Sequence, residues 1–154
     1  GAVLGGGLEL ASATHIRVAE RSAFYALPEG QRGIFVGGGG SVRIPRLIGM
    51  ARMMDMMMTG RVYSAEEGIA VGLSQYLVDD GTGLDKAIEL AKKIASNAAA
   101  TNYALMHVLP RITDSNPEQG LMMESLIATI TKNTPEAKER LKLFLEGKAK
   151  KIGE

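Results

Sequence analysis

The sequence predicts a mixed α/β (α+β) chain, with short strands near its start and helices over most of its length. Residues 15–19 alternate between polar and apolar side chains, a pattern typical of a half-buried strand. Residues 22–27 form a second strand candidate, which Pro28 ends because proline cannot donate to a sheet. From residue 41 onwards, capping signals and helical apolar spacing predominate. Both strand candidates therefore lie in the first third of the chain.

The remaining elements can be assigned in order along the chain. A short buried helix is predicted at residues 8–13, directly after a run of three glycines. Ser64 begins a Ser-Ala-Glu-Glu capping box, and Gly72 is placed to close the helix that this box opens. Thr134 precedes a proline and an acid, which is a strong signal for a helix start. Other helices are predicted at residues 50–58, 84–100, 102–112 and 118–130.

The composition excludes several classes of function. Hydrophobic residues make up 45% and charged residues 23%, which is ordinary for a globular protein and unlike a disordered or membrane-spanning one. Lys and Arg total 18 against 17 for Asp and Glu, so no overall field favours nucleic acid or an acidic membrane surface. The lack of cysteine is typical of a reducing compartment, and we expect a cytoplasmic protein. No signal peptide is expected from the first residues, and because they also lack a starting Met we expect the chain to be a piece of a longer protein.

Glu9 is the first candidate for a reacting group. It follows Gly5, Gly6 and Gly7, where a glycine turn leads into a helix. The first N–H groups of a helix lack intrahelical partners, so an anion or a developing oxyanion can be held there. The alternative is that Glu9 only complements the helix dipole.

Glu29 is the second candidate. It lies at the end of a predicted strand, between Pro28 and Gly30, where a rigid element could aim its carboxylate. The alternative is an ordinary exposed glutamate in a turn. Two carboxylates that converge on one cleft could divide the roles of acid and base.

Other features are weaker candidates for chemistry. The glycine run 37–40 lacks the Gly-Lys-Ser/Thr ending of a phosphate loop, so a nucleotide-binding module is a minor alternative. His15 and His107 lie 92 positions apart in different kinds of element, and we expect neither a metal site nor a catalytic triad. The dense methionines of residues 50–58 favour packing or subunit contact, with part of an acyl pocket as the alternative. The basic tail is expected to be a solvated face; its lysines are Lys138, Lys142, Lys148, Lys150 and Lys151.

Taken together, the ordered motifs resemble the enoyl-CoA hydratase/isomerase (crotonase) family. They are Gly-Gly-Gly-Leu-Glu-Leu-Ala at 5–11, Pro-Glu at 28–29, the Gly37 to Arg46 stretch, Thr-Gly-Arg at 59–61 and Ser-Ala-Glu-Glu-Gly at 64–68. The resemblance implies a crotonase-like ββα spiral followed by a helical trimerisation region. It also implies that this chain is the C-terminal part of the usual one, because the family's chain begins well upstream. The expected division is therefore residues 1–60 for the end of the spiral core and residues 61–154 for the helical oligomerisation region.

The resemblance also implies a reaction and a set of site residues. Glu9 and Glu29 match the two positions that are both glutamate in hydratases, where they act as acid and base in adding water to a 2-enoyl-CoA. We assign water activation to Glu9 and α-proton transfer to Glu29. The N–H of Gly6, with Gly5 and Gly37 nearby, would hold the thioester oxygen, and Lys148 is a candidate contact for a CoA phosphate. Because many isomerases keep only the second glutamate, hydratase is favoured over isomerase.

The expected partners follow from the same resemblance. They are an acyl-CoA thioester as substrate and further copies of the chain in a homotrimer or hexamer, with no nucleic acid and no membrane. No cofactor or metal is expected, because coenzyme A is part of the substrate. The other class of function that remains open is a non-catalytic scaffold that keeps only the helical assembly surface.

Overall fold

The computed structural model describes residues 1–149. It forms two compact units, residues 1–90 and a second unit that begins at Ala91. The division of the family's domains after residue 60 stays a prediction. No helix in the described part of the chain is long and apolar enough to cross a bilayer.

The first unit carries all the strands among the described residues. In chain order its elements are β1 (Ala2–Leu4), α1 (Gly6–Ser12), β2 (Val18–Glu20), β3 (Phe24–Ala26), a 3₁₀ turn (Gly30–Arg32), α2 (Gly40–Ile48), α3 (Met50–Thr59), β4 (Tyr63–Ser64), α4 (Ala65–Val71) and β5 (Tyr76–Val78). Helix α5 (Gly83–Ala95) follows and runs across the boundary between the units.

The strands pair mainly in parallel. β1 pairs with β3 with Ala2 opposite Phe24 and Leu4 opposite Ala26, and β4 is antiparallel to β3 on its other side. β2 pairs in parallel with β5 in a separate two-stranded sheet. Parallel neighbours require a crossover, and α1 lies in the crossover between β1 and β3. The ends of β1 and β3 therefore lie side by side, which brings the chain that follows each of them to one place.

A single apolar core fixes these elements. Its largest fully buried side chains are Leu8, Leu27, Ile44, Ile48, Met56 and Leu73. Met53 also belongs to this cluster, whereas Met50, Met54 and Met58 on the same helix are exposed. The packing role predicted for the methionine-rich helix is therefore confirmed for Met53 and Met56.

Local signals placed several helices correctly. Ser64 Oγ accepts from Glu67 N while Glu67 Oε2 accepts from Ser64 N, which is the predicted capping box. Gly72 closes α4 in the left-handed conformation. The strand predicted over residues 15–19 is β2, which begins later, at Val18, because the chain after α1 turns first, with Thr14 N donating to Ala11 O. Strand β1 was not predicted.

The second unit is helical in its described part. It contains α6 (Ala99–Tyr103), a π-helical segment (Ala104–Val108), α7 (Leu109–Asp114), α8 (Pro117–Lys132) and α9 (Pro135–Leu145). The helix predicted over 84–100 ends at Ala95 instead, because Ser96 and Asn97 interrupt it and Ala98 is extended. The segment predicted as one helix over 102–112 changes to π geometry before Pro110, which has no N–H to donate to the preceding turn.

Candidate functional site

Glu29 is placed by the end of strand β3. Leu27 anchors the chain in the core, and Glu29 follows Pro28 with only 8% of its surface exposed. Its backbone carbonyl accepts hydrogen bonds from Arg32 N and Ile34 N, and these two bonds fix the turn that begins at Glu29. Its side-chain Oε2 is buried and has no hydrogen-bond partner among residues 1–149. A buried carboxylate oxygen without a partner is costly, so it is unlike an exposed turn glutamate.

Gly5 and Gly6 lie next to this carboxylate. Gly5 N donates to Ala26 O at 3.0 Å, which joins the glycine turn to the end of β3. Helix α1 begins at Gly6, whose N–H has no intrahelical acceptor because it is the first helical residue.

One small cavity contains both of these features. Its volume is about 210 Å³, and it is lined by Leu4, Gly5, Gly6, Pro28, Glu29, Arg32 and Ile34. A carboxylate and the N-terminal end of a helix therefore share a single cavity. In such an arrangement the carboxylate can transfer a proton to or from a bound group, and the N–H groups of the helix end can stabilise the negative charge that develops on that group.

Glu9 is buried as well, with 6% of its surface exposed, but its carboxylate lies against a different segment. Its Oε1 accepts from Gly38 N at 2.8 Å and from Gly40 N at 2.9 Å. The described residues that line the Glu29 cavity do not include Glu9. The structure thus brings Glu29, Gly5 and Gly6 together, and it holds Glu9 on the glycine turn that follows residue 36.

The glycines of this turn are required by the close approach of Glu9. A Cβ on Gly40 would lie 2.7 Å from Glu9 Cγ, and a Cβ on Gly38 would lie 3.0 Å from Glu9 Oε2. Gly37 is exposed and lies outside the lining of the Glu29 cavity. The sequence singled out Gly37 as a substrate contact, which stays a prediction, whereas the N–H groups that bind the Glu9 carboxylate belong to Gly38 and Gly40.

The remaining candidates have surface positions. Lys148 is exposed and pairs with Glu146 at 2.8 Å, and Lys150 and Lys151 lie outside the described residues. His15 is exposed, and His107 lies against the ring of Tyr103. Within residues 1–149, no group of three or more His, Cys, Asp or Glu side chains is placed to hold a metal ion.

A second, larger cavity was only partly predicted from the sequence. It has a volume of about 750 Å³, and its lining is largely apolar: Gly30, Gln31, Ile34, Phe35, Ser41, Pro45, Met50, Met53, Met54, Met57 and Met58. Ile34 lines both cavities. The available signal was the pair Ile34-Phe35, two large apolar residues in a glycine-rich loop, which sequence reasoning passed over. The cavity suits an apolar, flexible ligand group.

Comparison with known proteins identifies the class to which this fold and site belong. The family model for enoyl-CoA hydratase/isomerase matches residues 1–153, and the chain belongs to this family. The crystal structure of a "putative enoyl-CoA hydratase" from Rhodopseudomonas palustris CGA009 is 64% identical, with a TM-score of 0.92 over 96% of this chain and 57% of that one. The crotonase fold predicted from the motifs is thereby confirmed.

Two related sequences show how the chain compares in length. The "Probable enoyl-CoA hydratase" of Bacillus subtilis is 36% identical over 147 residues, which are 95% of this chain and 57% of the relative. The fatty acid oxidation complex subunit alpha of Shewanella loihica is 36% identical over 137 residues, which are 87% of this chain and 19% of the relative. The chain therefore spans little more than half of the first relative and about a fifth of the second.

Proposed function

We propose that the intact protein is an acyl-CoA hydratase that adds water across the 2,3 double bond of a 2-enoyl-CoA. The observation that carries this proposal is the buried, unpartnered Oε2 of Glu29 in the cavity that Gly6 also lines. Enzymes of this family act on acyl-CoA substrates, and an enoyl thioester needs a proton donor beside an oxyanion site.

The two glutamates divide the proton transfers. Glu9 takes a proton from water as the water oxygen bonds to the β-carbon, and Glu29 gives a proton to the α-carbon as the enolate collapses. Since two N–H groups bind Oε1 of Glu9, its Oε2 is the oxygen left to act as the base. The fixed Oε1 would keep the carboxylate in one orientation throughout the reaction.

The N-terminal end of α1 supplies electrostatic stabilisation. The N–H of Gly6 donates to the thioester oxygen as negative charge develops on it. A donor of this kind contributes about 3 to 4 kcal/mol to transition-state stabilisation. The reaction requires no metal or cofactor beyond the coenzyme A of the substrate.

The acyl chain extends from the Glu29 cavity into the larger apolar one, past Ile34. The methionines of α3 suit chains of different shape, because unbranched thioether side chains adapt to their neighbours. We further propose a homotrimer or a hexamer of two trimers, as the family resemblance implies, and a cytoplasmic location, which is supported by the lack of cysteine.

A second candidate is an enoyl-CoA isomerase, which moves the double bond with one base. The observation that favours it is the absence of Glu9 from the described residues that line the Glu29 cavity. In that reaction Glu29 would remove a proton from one carbon and return it to another, and Glu9 would only support the glycine turn.

The test compares wild type with Glu29→Gln and Glu9→Gln in two assays on the intact protein. Hydration of a 2-enoyl-CoA is followed by loss of the absorbance of the conjugated thioester, and isomerisation of a 3-enoyl-CoA by its gain. For a hydratase, each variant should lower kcat for hydration about 10²-fold to 10⁴-fold. Glu66→Gln, an exposed glutamate paired with Arg21, is the matched control and should leave kcat unchanged.

Three results would separate the candidates. The isomerase would be established if wild type does not hydrate the substrate, Glu29→Gln loses isomerisation and Glu9→Gln keeps it in full. Full hydration in Glu29→Gln would overturn the proposed role of Glu29. A folded wild-type protein without activity on any acyl-CoA would favour the scaffold.

A further inference from the structure

Arg43, on helix α2, joins the two segments that hold Glu9. Its Nη2 donates to the backbone carbonyl of Glu9 at 3.1 Å and to the carbonyl of Gly38. Its Nε donates to Ser12 Oγ at 3.2 Å. One guanidinium therefore contacts helix α1 and the glycine turn at the same time.

The carbonyl of Glu9 is available because it lies in the last turn of α1. The final carbonyls of a helix have no intrahelical donor, and a cation near that end is favourable. Ser12 Oγ donates to the same carbonyl at 2.6 Å. Arg43 thus caps α1 at the residue whose side chain is proposed to activate water.

Both backbone polar groups of Gly38 are hydrogen-bonded. Its N–H donates to Glu9 Oε1, and its carbonyl accepts from Arg43. The contacts form a closed ring that runs from the Glu9 carboxylate through Gly38 and Arg43 to the Glu9 backbone. In such a ring the direction of the Gly38 N–H depends on the Arg43 guanidinium, because the guanidinium binds the carbonyl of the same residue.

We propose that Arg43 is a positioning residue for Glu9, which acts by holding the Gly38–Gly40 turn so that its N–H groups bind Oε1. The kinetic consequence rests on the proposed hydratase function, whereas the structural consequence does not. The planar fork of arginine suits this role because its N–H groups have fixed relative directions, which a lysine ammonium lacks.

The first experiment measures amide hydrogen exchange at Gly38 and Gly40 by NMR or mass spectrometry. Arg43→Gln should exchange these amides about 10-fold faster than wild type, because a charged contact that holds the turn is lost. The control is Arg52→Gln, which removes the same charge from the neighbouring helix α3, where Arg52 donates to Ile48 O. Unchanged exchange in folded Arg43→Gln would overturn the inference.

A second variant covers the case in which Arg43→Gln does not fold. Arg43→Lys keeps the positive charge at the end of α1 but cannot reproduce the fork, so it should also exchange the two amides faster. Its thermal denaturation would establish that the fold is retained. If Arg43→Gln is unfolded and folded Arg43→Lys exchanges these amides at the wild-type rate, Arg43 contributes only to stability. That result would overturn the inference.

The second experiment is a double-mutant cycle on hydration. Arg43→Gln should lower kcat about 10-fold to 100-fold with little change in KM, because the base is misplaced while substrate binding is kept. In the Glu9→Gln background the same change should cause no further loss. If Arg43→Gln lowers kcat by the same factor in wild type and in the Glu9→Gln variant, Arg43 acts independently of Glu9, contrary to the proposal.

The two experiments separate the two proposals. If Glu9→Gln hydrates substrate at the wild-type rate, the proposed role of Glu9 in hydration fails. The exchange rates of Gly38 and Gly40 would still decide whether Arg43 positions the Glu9 carboxylate.

Discussion

Gly5 lies directly against the carboxylate of Glu29. A Cβ on Gly5 would be only 2.5 Å from Glu29 Oε1, and the backbone of Gly5 has a φ of +50°. Two independent constraints therefore require glycine at this position: the positive φ of the turn and the space taken by the carboxylate. The turn that opens α1 also shapes the cavity around Glu29.

Gly5→Ala should therefore impair both stability and catalysis. An alanine at positive φ costs about 1 to 3 kcal/mol, and its methyl group must displace Glu29 Oε1. We expect kcat for hydration to fall about 100-fold, since small displacements of a reacting group have effects of that size. Urea denaturation and steady-state kinetics on the same preparation measure the two effects.

Gly81→Ala separates the two causes. Gly81 has a φ of +80°, and among the described residues no heavy atom beyond its own chain neighbours lies within 4 Å of the position that its Cβ would take. This variant should lose stability to a similar degree while its kcat stays at the wild-type value. If Gly5→Ala loses no more activity than Gly81→Ala, the contact with Glu29 has no catalytic importance.

Local signals in the sequence were sufficient for much of the fold. The Ser64 capping box, the Gly72 cap and the Thr134 start of α9 were each predicted, because caps depend on residues within one turn of each other. The π-helical segment was missed because it combines a proline with packing that residue spacing does not show.

The site was less accessible to sequence reasoning, since its contacts join distant residues. Glu9 binds Gly38 and Gly40, which lie 29 and 31 positions away, and no periodic pattern reports that contact. The separate positions of the Glu9 carboxylate and the Glu29 cavity likewise depend on how α1 packs on α2. The motifs indicated the candidate residues, and the tertiary structure shows what Glu9 and Glu29 contact.

Ser64→Ala tests the capping box that begins α4. Removal of the hydroxyl leaves Glu67 N without its acceptor, and the protein should lose about 1 kcal/mol of unfolding free energy. Kinetic constants should not change, because the cap lies outside both cavities. Ser125→Ala, in the middle of α8, is the control and should be nearly neutral in urea denaturation. Equal loss in the two variants would contradict the capping role.

Asp80 should give stability a small dependence on pH. The N–H of Ser22 donates to Asp80 Oδ1 at 2.9 Å, and this hydrogen bond lowers the pKa of the carboxyl from its ordinary value. A lowered pKa contributes stability that is present above the unfolded-state pKa of about 3.9 and is lost as pH falls through the folded-state value. Wild type should therefore melt at a higher temperature than Asp80→Asn at neutral pH, and the difference should shrink in acid. A difference that grows in acid would refute this sign.

Under the proposed function, Ile34 should control which acyl chains the protein accepts, because it lines both the Glu29 cavity and the larger apolar one. In Ile34→Trp the larger indole would occupy the space past Ile34 through which the acyl chain is proposed to extend. A short 2-enoyl-CoA, whose chain would end within the Glu29 cavity, should keep most of its kcat/KM. A long-chain substrate should lose at least about 10-fold, since exclusion of a few methylene groups is an effect of that size.

The control for this substitution is Val42→Trp. Val42 is an exposed β-branched residue on α2 that lies outside the lining of both cavities, so the added ring should not change the ratio of long-chain to short-chain kcat/KM. The ratio is the informative quantity, because a general loss of stability would lower both rates together. An unchanged ratio in Ile34→Trp would mean that the acyl chain takes another path out of the Glu29 cavity, and the methionine-lined cavity would then have no part in substrate binding.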